Sequence, residues 1–284
     1  MPINILYCEG GNGSPDIRVI RHLCPPGCLV KPIGSKYGFS DRVRLVRKLK
    51  QSSIAGLRDR DFDFNTDDFS LKLTPGEWCV NDNQTRVQIG WYWERKEIEN
   101  YLIDPEVVTR ALGKKAPRLE QYQAALQASA ERIADYTAAR IALSHSRLPR
   151  LLPLQNHWGE PQWKHYFPER LGESDCRTEI ARIVKQYEQN QIVKESDVLN
   201  KFEEILPSCR PGGSRFEHYL TFFSGKDLLC AMKTALEMFN LSSPPDFREQ
   251  LIGKIERSTE DVWTWLPEWE KLRLLIQNTT LKEP

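Results

Sequence analysis

Apolar positions in the first hundred residues follow the periods of strands and helices in turn. Three short β-prone runs, at 3–7, 28–33 and 53–57, alternate with two amphipathic segments, one at 16–23 and a longer one that begins at Ser40. Strand, helix, strand, helix, strand with short loops is the order of a parallel sheet with crossover helices. The N-terminal region is therefore predicted to be an α/β domain.

Two more strand candidates follow, and after about Pro105 the pattern becomes helical. The long segment 117–146 is rich in Ala, Leu, Gln and Glu, and it predicts a single long helix. We therefore expect an α/β region at 1–105 and a mostly helical region at 106–284. The remaining predicted elements are strands at 77–80 and 86–93 and helices at 174–190, at 195–206, from about Ser224, and in the Trp-rich C-terminal segment.

Composition narrows the function classes. The chain has 284 residues with 40 Lys and Arg against 39 Asp and Glu, so it is not a uniformly basic nucleic-acid coat, although one basic face is still possible. Its seven cysteines, an odd number at scattered positions, are expected to be free thiols in a reducing cytoplasm. No apolar run approaches the ~18 residues of a membrane span, so a cytoplasmic location is expected.

Acidic residues follow the predicted strands where the strands end. Glu9 follows the first strand, Asp59 and Asp61 follow the third, and Glu97 and Glu99 lie just past the fifth. Carboxyl ends of parallel strands meet at one edge of the sheet, where carboxylates ~4 Å apart repel by about 4 kcal/mol per pair at an effective dielectric near 20. A divalent cation relieves this repulsion, and ligation by oxygen alone suits Mg²⁺ or Mn²⁺. The competing interpretation is that these acids are solvated surface residues.

The acidic pattern resembles that of a known domain. Glu9-Gly10 after the first strand and Asp59-x-Asp61 after the third look like the signature of the Toprim domain, which topoisomerases, bacterial primases and nucleases of the overcoming-lysogenization-defect family share. The usual first motif is closer to Glu-Gly-x-x-Asp. Here Glu9 and Asp16 are seven residues apart, so the loop holds three extra residues.

Two later segments strengthen the resemblance. The run 97–102 resembles the "E-N-Y-L" element of a Toprim-like family encoded beside ATPase genes in phage-defence systems. The run 224–229 resembles the "G-K-D-L-L" element of the same family, and this implies a catalytic role for Lys226. The resemblance covers roughly 3–105 and 224–232.

The resemblance implies a metal-dependent endonuclease that cleaves the phosphodiesters of tRNA or DNA. Two Mg²⁺ or Mn²⁺ ions ~3.5–4 Å apart are expected to clamp the phosphate, and Lys226 is expected to place positive charge on the transition state. It also implies a toxic anti-phage effector that a partner ABC-type ATPase holds and releases, and a homodimer as a possible active form. The expected metal ligands are Glu9, Asp59, Asp61 and Glu99, with Glu97 as a further ligand.

A basic segment lies beside the predicted metal centre. Residues 36–60 contain eight Lys and Arg against two acidic residues, and such a strip can follow a phosphate backbone without reading sequence. The alternative is a solvated helix face. The residues predicted to contact nucleic acid are Arg42, Arg44, Arg47, Lys48, Arg58 and Arg60.

Two other function classes remain open. One is a primase-like Toprim enzyme, although the chain lacks the cysteine spacing of a zinc ribbon. The other is a non-catalytic Toprim fold that acts as an interaction module. Loss of metal-dependent cleavage after replacement of Glu9 or Asp59 would separate an enzyme from an interaction module.

Overall fold

The structure is a computed structural model. No helix in the described part of the chain has both the length and the apolar character needed to cross a membrane. Asp61, one of the predicted metal ligands, lies outside the described residues. The structure describes residues 2–34, 38–50, 53–60, 62, 72–82, 85–145, 155–163, 165–188 and 193–281.

A five-stranded sheet forms the centre of the N-terminal region, with strand order β2-β1-β3-β5-β4. The pairs β1–β2, β1–β3 and β3–β5 are parallel, and only the edge strand β4 runs antiparallel to its neighbour in this sheet. The α/β class and the mostly parallel sheet predicted from the sequence are thus confirmed. The strands are β1 (Ile5–Cys8), β2 (Leu29–Pro32), β3 (Ile54–Arg58), β4 (Gly76–Asp82) and β5 (Thr85–Tyr92).

Helices cover both faces of the sheet because its central strands alternate between two apolar clusters. In β1, Leu6 and Cys8 point into the main core, whereas Ile5 and Tyr7 pack against the smaller cluster beneath α2 (Phe39–Lys50). The opposite face carries α1 (Pro15–Leu23). The crossover helices therefore lie on the two sides, and the carboxyl ends of β1, β3 and β5 stay open at one edge.

Arg47 is a structural residue of α2. Its side chain is buried, and its guanidinium donates to the backbone carbonyls of Ile54 at 2.6 Å and Gln88 at 2.8 Å. Neither interpretation of the basic segment, a nucleic-acid-binding strip or a solvated helix face, holds for Arg47, because the residue faces the sheet and satisfies carbonyl groups of two strands.

The region after Pro105 is mostly helical, as the sequence predicts. The short helix α3 (Ile98–Leu102) precedes this region. The α-helices that follow in the described residues are α4 (Pro105–Leu112), α5 (Leu119–Arg132), α6 (Ala134–His145), α7 (Glu173–Glu188), α8 (Glu195–Cys209), α9 (Ser214–Glu217), α10 (Tyr219–Phe222), α11 (Gly225–Ala231), α12 (Lys233–Met238), α13 (Pro244–Glu256) and α14 (Pro267–Asn278). A small antiparallel hairpin, β6 (Glu160–Gln162) with β7 (His165–Phe167), interrupts them.

The prediction of one long helix over 117–146 is wrong. The chain breaks between α5 and α6 at Ile133, whose backbone (φ −101°, ψ 9°) is not helical and whose N–H is shared between two carbonyls of the preceding turn. The two helices also differ in burial, since α6 is buried along almost its whole length while α5 keeps an exposed face. The Ala-rich composition contains no breaker that would signal this change.

The α/β region and the helical region share one hydrophobic core. Leu6 and Trp91 of the sheet belong to the same buried cluster as Trp269 and Ile276 of α14. The backbone N–H of Ile3 also donates to the carbonyl of Ile276 at 3.1 Å. The helical region therefore completes the packing around the sheet and can supply side chains to its open edge.

Candidate active site

Three carboxylates converge at the open edge of the sheet. Glu9 follows β1, Asp59 follows β3, and Asp16 lies in the first turn of α1. Burial, then the charges of Glu99 and Glu9, raises the pKa of Asp16 to about 7 despite the opposing charge of Lys226. Burial, then Asp16 and Glu9, raises the pKa of Asp59 well above its usual range. The charges of Glu9, Asp16 and Asp59 therefore act on one another, as expected for carboxylates in a shared pocket.

The loop between β1 and α1 carries Asp16 into this pocket. Ser14 is the N-cap of α1, since its hydroxyl accepts from the Ile17 N–H at 3.5 Å. Gly10 has φ +88°, which favours glycine, and its N–H bonds to the Gly34 carbonyl at 2.8 Å. The extra loop residues thus fold into a turn tied to the chain after β2, and the helix start brings Asp16 close to Glu9.

Glu97 binds Lys226 tightly. One carboxylate oxygen of Glu97 accepts from the Ser224 hydroxyl at 2.7 Å and the Lys226 N–H at 2.9 Å, and the other accepts from the Lys226 ammonium. Burial alone raises the pKa of Glu97, but Lys226 and Ser224 outweigh it and hold the pKa well below its usual range. Glu97 therefore acts in this structure as the anchor of Lys226.

Glu99 is also held by cations. Its Oε2 lies 3.2 Å from the Lys226 ammonium, and its Oε1 accepts from Arg248 of α13 at 3.3 Å. Burial lowers the pKa of Lys226, but Glu97, Glu99 and Asp59 together raise it well above its usual value. Lys226 is therefore a permanently charged ammonium that faces the carboxylate pocket.

Asn100 and Gly225 bring the two motif segments together. The Asn100 side chain is fully buried, accepts from the backbone N–H of Gly225 at 3.1 Å, and donates to the Phe223 carbonyl at 2.9 Å. A Cβ on Gly225 would lie 2.7 Å from the Glu99 carbonyl carbon. Only glycine allows the start of α11 to approach α3 this closely, which explains the residue before Lys226.

Tyr101 and Glu268 fix the loop that leads to Glu97. The Tyr101 hydroxyl donates to one Glu268 oxygen at 2.6 Å, and the other oxygen accepts from the backbone N–H of Glu94 at 2.7 Å. The same hydroxyl accepts from the Arg95 N–H at 3.1 Å. The first turn of α14 thus holds the segment between β5 and α3 in place.

Asp227, the residue after Lys226 in α11, binds a different set of side chains. Its buried carboxylate accepts from the Arg140 guanidinium of α6 and lies 2.5 Å from His165 Nε2 of β7. Burial raises the pKa of Asp227, but Arg140 and His165 outweigh it and lower the pKa below its usual value. This network fixes the start of α11, and so the position of Lys226, against the helical region.

The carboxylates of the pocket have the right chemistry for a hard divalent cation, but they are not yet arranged around one. Glu9, Asp16 and Asp59 supply oxygen ligands only, and burial together with the neighbouring carboxylates raises the pKa values of the two aspartates despite the charge of Lys226. Among the described residues, however, no three His, Cys, Asp or Glu side chains are already arranged as a metal site. A bound ion would therefore draw carboxylates of this pocket together.

The predicted nucleic-acid-binding residues do not form one exposed basic strip. Arg47 is buried, Arg44 pairs with Asp82, and Arg60 donates to the Glu94 carbonyl at 2.7 Å. The two exposed cations of this set, Arg42 and Lys48, also have partners: Arg42 donates to the Ile33 carbonyl, and Lys48 lies 3.7 Å from Asp82. Arg58 stacks over Trp78 at 4.9 Å.

Three contributors to the site were not predicted from the sequence. Arg248 and Glu268 come from the C-terminal helices, where no motif marks them, and Asp227 was noted only as part of a motif. Asp16 carried a weak signal, an acidic residue in the helix that follows Glu9. Neither protein-family models nor the sequences of curated proteins match the chain. The site is therefore interpreted from its own geometry.

Proposed function

We propose that the protein is a metal-dependent endonuclease that cleaves phosphodiester bonds of nucleic acid, with a Toprim-like N-terminal region. The observation that carries the proposal is the placement of Glu9 and Asp59 at the carboxyl ends of parallel strands and of Asp16 in the first turn of α1, close enough to one another and to Lys226 for their charges to interact. Acidic oxygen ligands beside a fixed cation suit a reaction in which a bound phosphate gains negative charge.

In this proposal the residues divide into two roles. Glu9, Asp16 and Asp59 would hold one or two Mg²⁺ or Mn²⁺ ions, and Glu99 could join them if it exchanged one of its cationic partners. A bound divalent ion supplies a Lewis acid for the phosphate and an acidified water. Lys226 neutralises charge that develops on the phosphate, and Glu97 holds the Lys226 ammonium in position.

The wider assignment rests on resemblance alone. A toxic anti-phage role, control by a partner ABC-type ATPase, cleavage of tRNA or DNA, pairing of two copies and a cytoplasmic location are all parts of this proposal.

One observation favours a non-catalytic interaction module instead. Glu97 and Glu99 are already neutralised by Lys226 and Arg248, as in a purely structural ion-pair network. This alternative predicts that Mn²⁺ neither binds to the pocket nor changes the stability of the protein.

Replacement of Asp59 by asparagine tests the proposal. Purified protein is incubated with Mg²⁺ or Mn²⁺ and plasmid DNA or total tRNA, with and without the partner ATPase, and Asp59→Asn is expected to lower cleavage by at least ~10²-fold. Asp41→Asn, which removes an exposed carboxylate of α2, is the matched control and should cleave like wild type.

Metal binding is measured separately from cleavage. Mn²⁺ at a hundred times its dissociation constant should raise the free energy of unfolding of wild type by about 2.7 kcal/mol. This gain should be lost in Asp59→Asn and kept in Asp41→Asn. Equal stabilisation of all three proteins, or of none, would refute the metal site.

A further inference from the structure

A cavity of about 410 Å³ lies beside the candidate active site. It opens between the β6–β7 hairpin, the end of α5 and the start of α12, with the start of α13 closing one side. Its volume falls within the ~300–1,000 Å³ range of small-ligand pockets. Neither the metal pocket nor the Asp227 network uses this space.

Two chains of contact join the cavity to the metal pocket. Trp163, which lines the cavity, has its ring centroid 5.9 Å from the guanidinium carbon of Arg248, and Arg248 bonds Glu99. Helix α11 starts with Lys226 in the metal pocket and reaches Cys230 in the cavity wall. The Trp163 and Arg248 side chains therefore lie between a ligand in the cavity and Glu99 of the proposed cleavage centre.

The cavity walls combine aromatic rings with free cations. Trp163 and Phe167 are half-buried on the hairpin, and Trp163 has φ +31°, which bulky residues rarely adopt. Arg132 and Lys233, on the helical side, are exposed, and neither forms an ion pair with any residue that the structure describes. The hairpin side and its following turn add the carboxylates of Glu160 and Glu169.

This combination suits a nucleotide. Aromatic faces stack on bases irrespective of sequence, unpaired cations bind phosphate oxygens, and carboxylates accept hydrogen bonds from base amino groups. A purely apolar ligand would leave the four charged side chains without partners, and a simple anion would gain nothing from the rings.

We infer that the cavity binds one nucleotide of the substrate strand next to the cleaved phosphate, with its base against Trp163 and Phe167 and its phosphate on Arg132 and Lys233. This inference rests on the proposed nuclease function, since it assigns a substrate subsite to that centre. It implies a preference for single-stranded nucleic acid, because a paired base must leave its stack to reach the rings in the pocket wall.

Binding without cleavage is the first test. A labelled single-stranded oligonucleotide is titrated with protein in EDTA and followed by fluorescence anisotropy. Trp163→Ala should weaken binding about 10-fold, as expected for the loss of one base stack. The matched control is Tyr166→Ala, which removes an exposed ring of the same hairpin that is not part of the cavity wall, and it should bind like wild type.

Charge reversal provides a second test that does not depend on the stability of the hairpin. The double variant Arg132→Glu and Lys233→Glu changes only exposed side chains, and it should weaken binding and flatten the salt dependence by about 1.4 in log–log slope. Lys114→Glu, an exposed cation outside the cavity, is the control. Unchanged binding and slope in the double variant would overturn the inference.

Two sources of the nucleotide are distinguished by competition. Adenosine 5′-monophosphate that binds as tightly as the oligonucleotide and displaces it would show a site for a free nucleotide, which overturns the strand subsite. Weak binding of the mononucleotide with tight binding of the oligonucleotide supports it.

Failure of the two proposals can be told apart. If Asp59→Asn removes cleavage but Trp163→Ala and the double charge variant leave both KM and binding unchanged, the subsite is wrong and the nuclease stands. If the cavity variants lose oligonucleotide binding and no metal supports cleavage by wild type, the nuclease is wrong, and the cavity is a nucleic-acid-binding site of a different kind of protein. In an active enzyme, Trp163→Ala should raise KM about 10-fold with little change in kcat.

Discussion

Replacement of Glu268 by glutamine should change how stability depends on pH. The Glu268 side chain is 3% exposed, and burial raises its pKa from 4.5 to about 7. In the unfolded chain this carboxyl loses its proton near pH 4.5, whereas in the folded chain it keeps the proton until about pH 7. The folded state therefore holds one more proton between these values, and the free energy of unfolding falls as pH rises through that window.

The size of this effect follows from the two pKa values. Each pKa unit corresponds to ~1.4 kcal/mol, so a difference of about 2.5 units costs at most about 3 kcal/mol between pH 4.5 and pH 7. Glutamine has no charge to lose. Its carbonyl can still accept from the Glu94 N–H, and its amide can donate to the Tyr101 oxygen, at the cost of about one hydrogen bond, ~1 kcal/mol.

The variant should therefore be less stable than wild type by about 1 kcal/mol near pH 4, where the carboxyl is protonated in both states, and more stable by about 2 kcal/mol near pH 8. Urea unfolding followed by tryptophan fluorescence at several pH values between these limits measures the difference directly. The control is Glu270→Gln, which changes an exposed residue of α14. Its plot of unfolding free energy against pH should run parallel to that of wild type. Parallel curves for Glu268→Gln as well would refute a buried carboxyl that titrates near neutrality.

Three further variants test contacts between elements of the fold and the role of Lys226. Gly225→Ala should destabilise the fold by about 2 kcal/mol through overpacking, because the new Cβ would press on the Glu99 backbone. Thermal unfolding measures this loss. The control Gly172→Ala, whose Cβ would make only ordinary contact, should have little effect. Arg47→Ala should cost about 2 kcal/mol in urea unfolding because it leaves two buried carbonyls unsatisfied, and an unchanged midpoint would refute that role. Lys226→Gln should lower metal-dependent cleavage by about 10²-fold or more while Mn²⁺ binding persists; unchanged cleavage would remove Lys226 from the reaction.

Local pattern was enough to predict the sheet and the placement of its acidic residues. Apolar alternation marked each strand, and a parallel sheet brings its strand ends to one edge, so Glu9 and Asp59 could be expected together. The motif around Gly225 likewise pointed to Lys226. These features depend on residues close in sequence or on a general property of parallel sheets.

Long-range packing accounts for what the sequence did not predict. The helical pattern of α2 shows that Arg47 lies among polar neighbours, but only the folded sheet reveals the two carbonyls that it satisfies. The break at Ile133 depends on the burial of α6 among other helices. Arg248 reaches Glu99 across about 150 residues of chain, and no local spacing encodes that meeting.

Lys226 and Asp227 are consecutive residues in the first turn of α11, and this turn therefore joins two separate polar networks. The Lys226 ammonium binds the Glu97 carboxylate, and the Asp227 carboxylate binds Arg140 and His165. A force that shifted the β6–β7 hairpin would act on His165, pass through a single peptide unit, and move the ammonium relative to Asp59. Events on the helical side could in this way set the charge balance of the pocket without touching any of its acids.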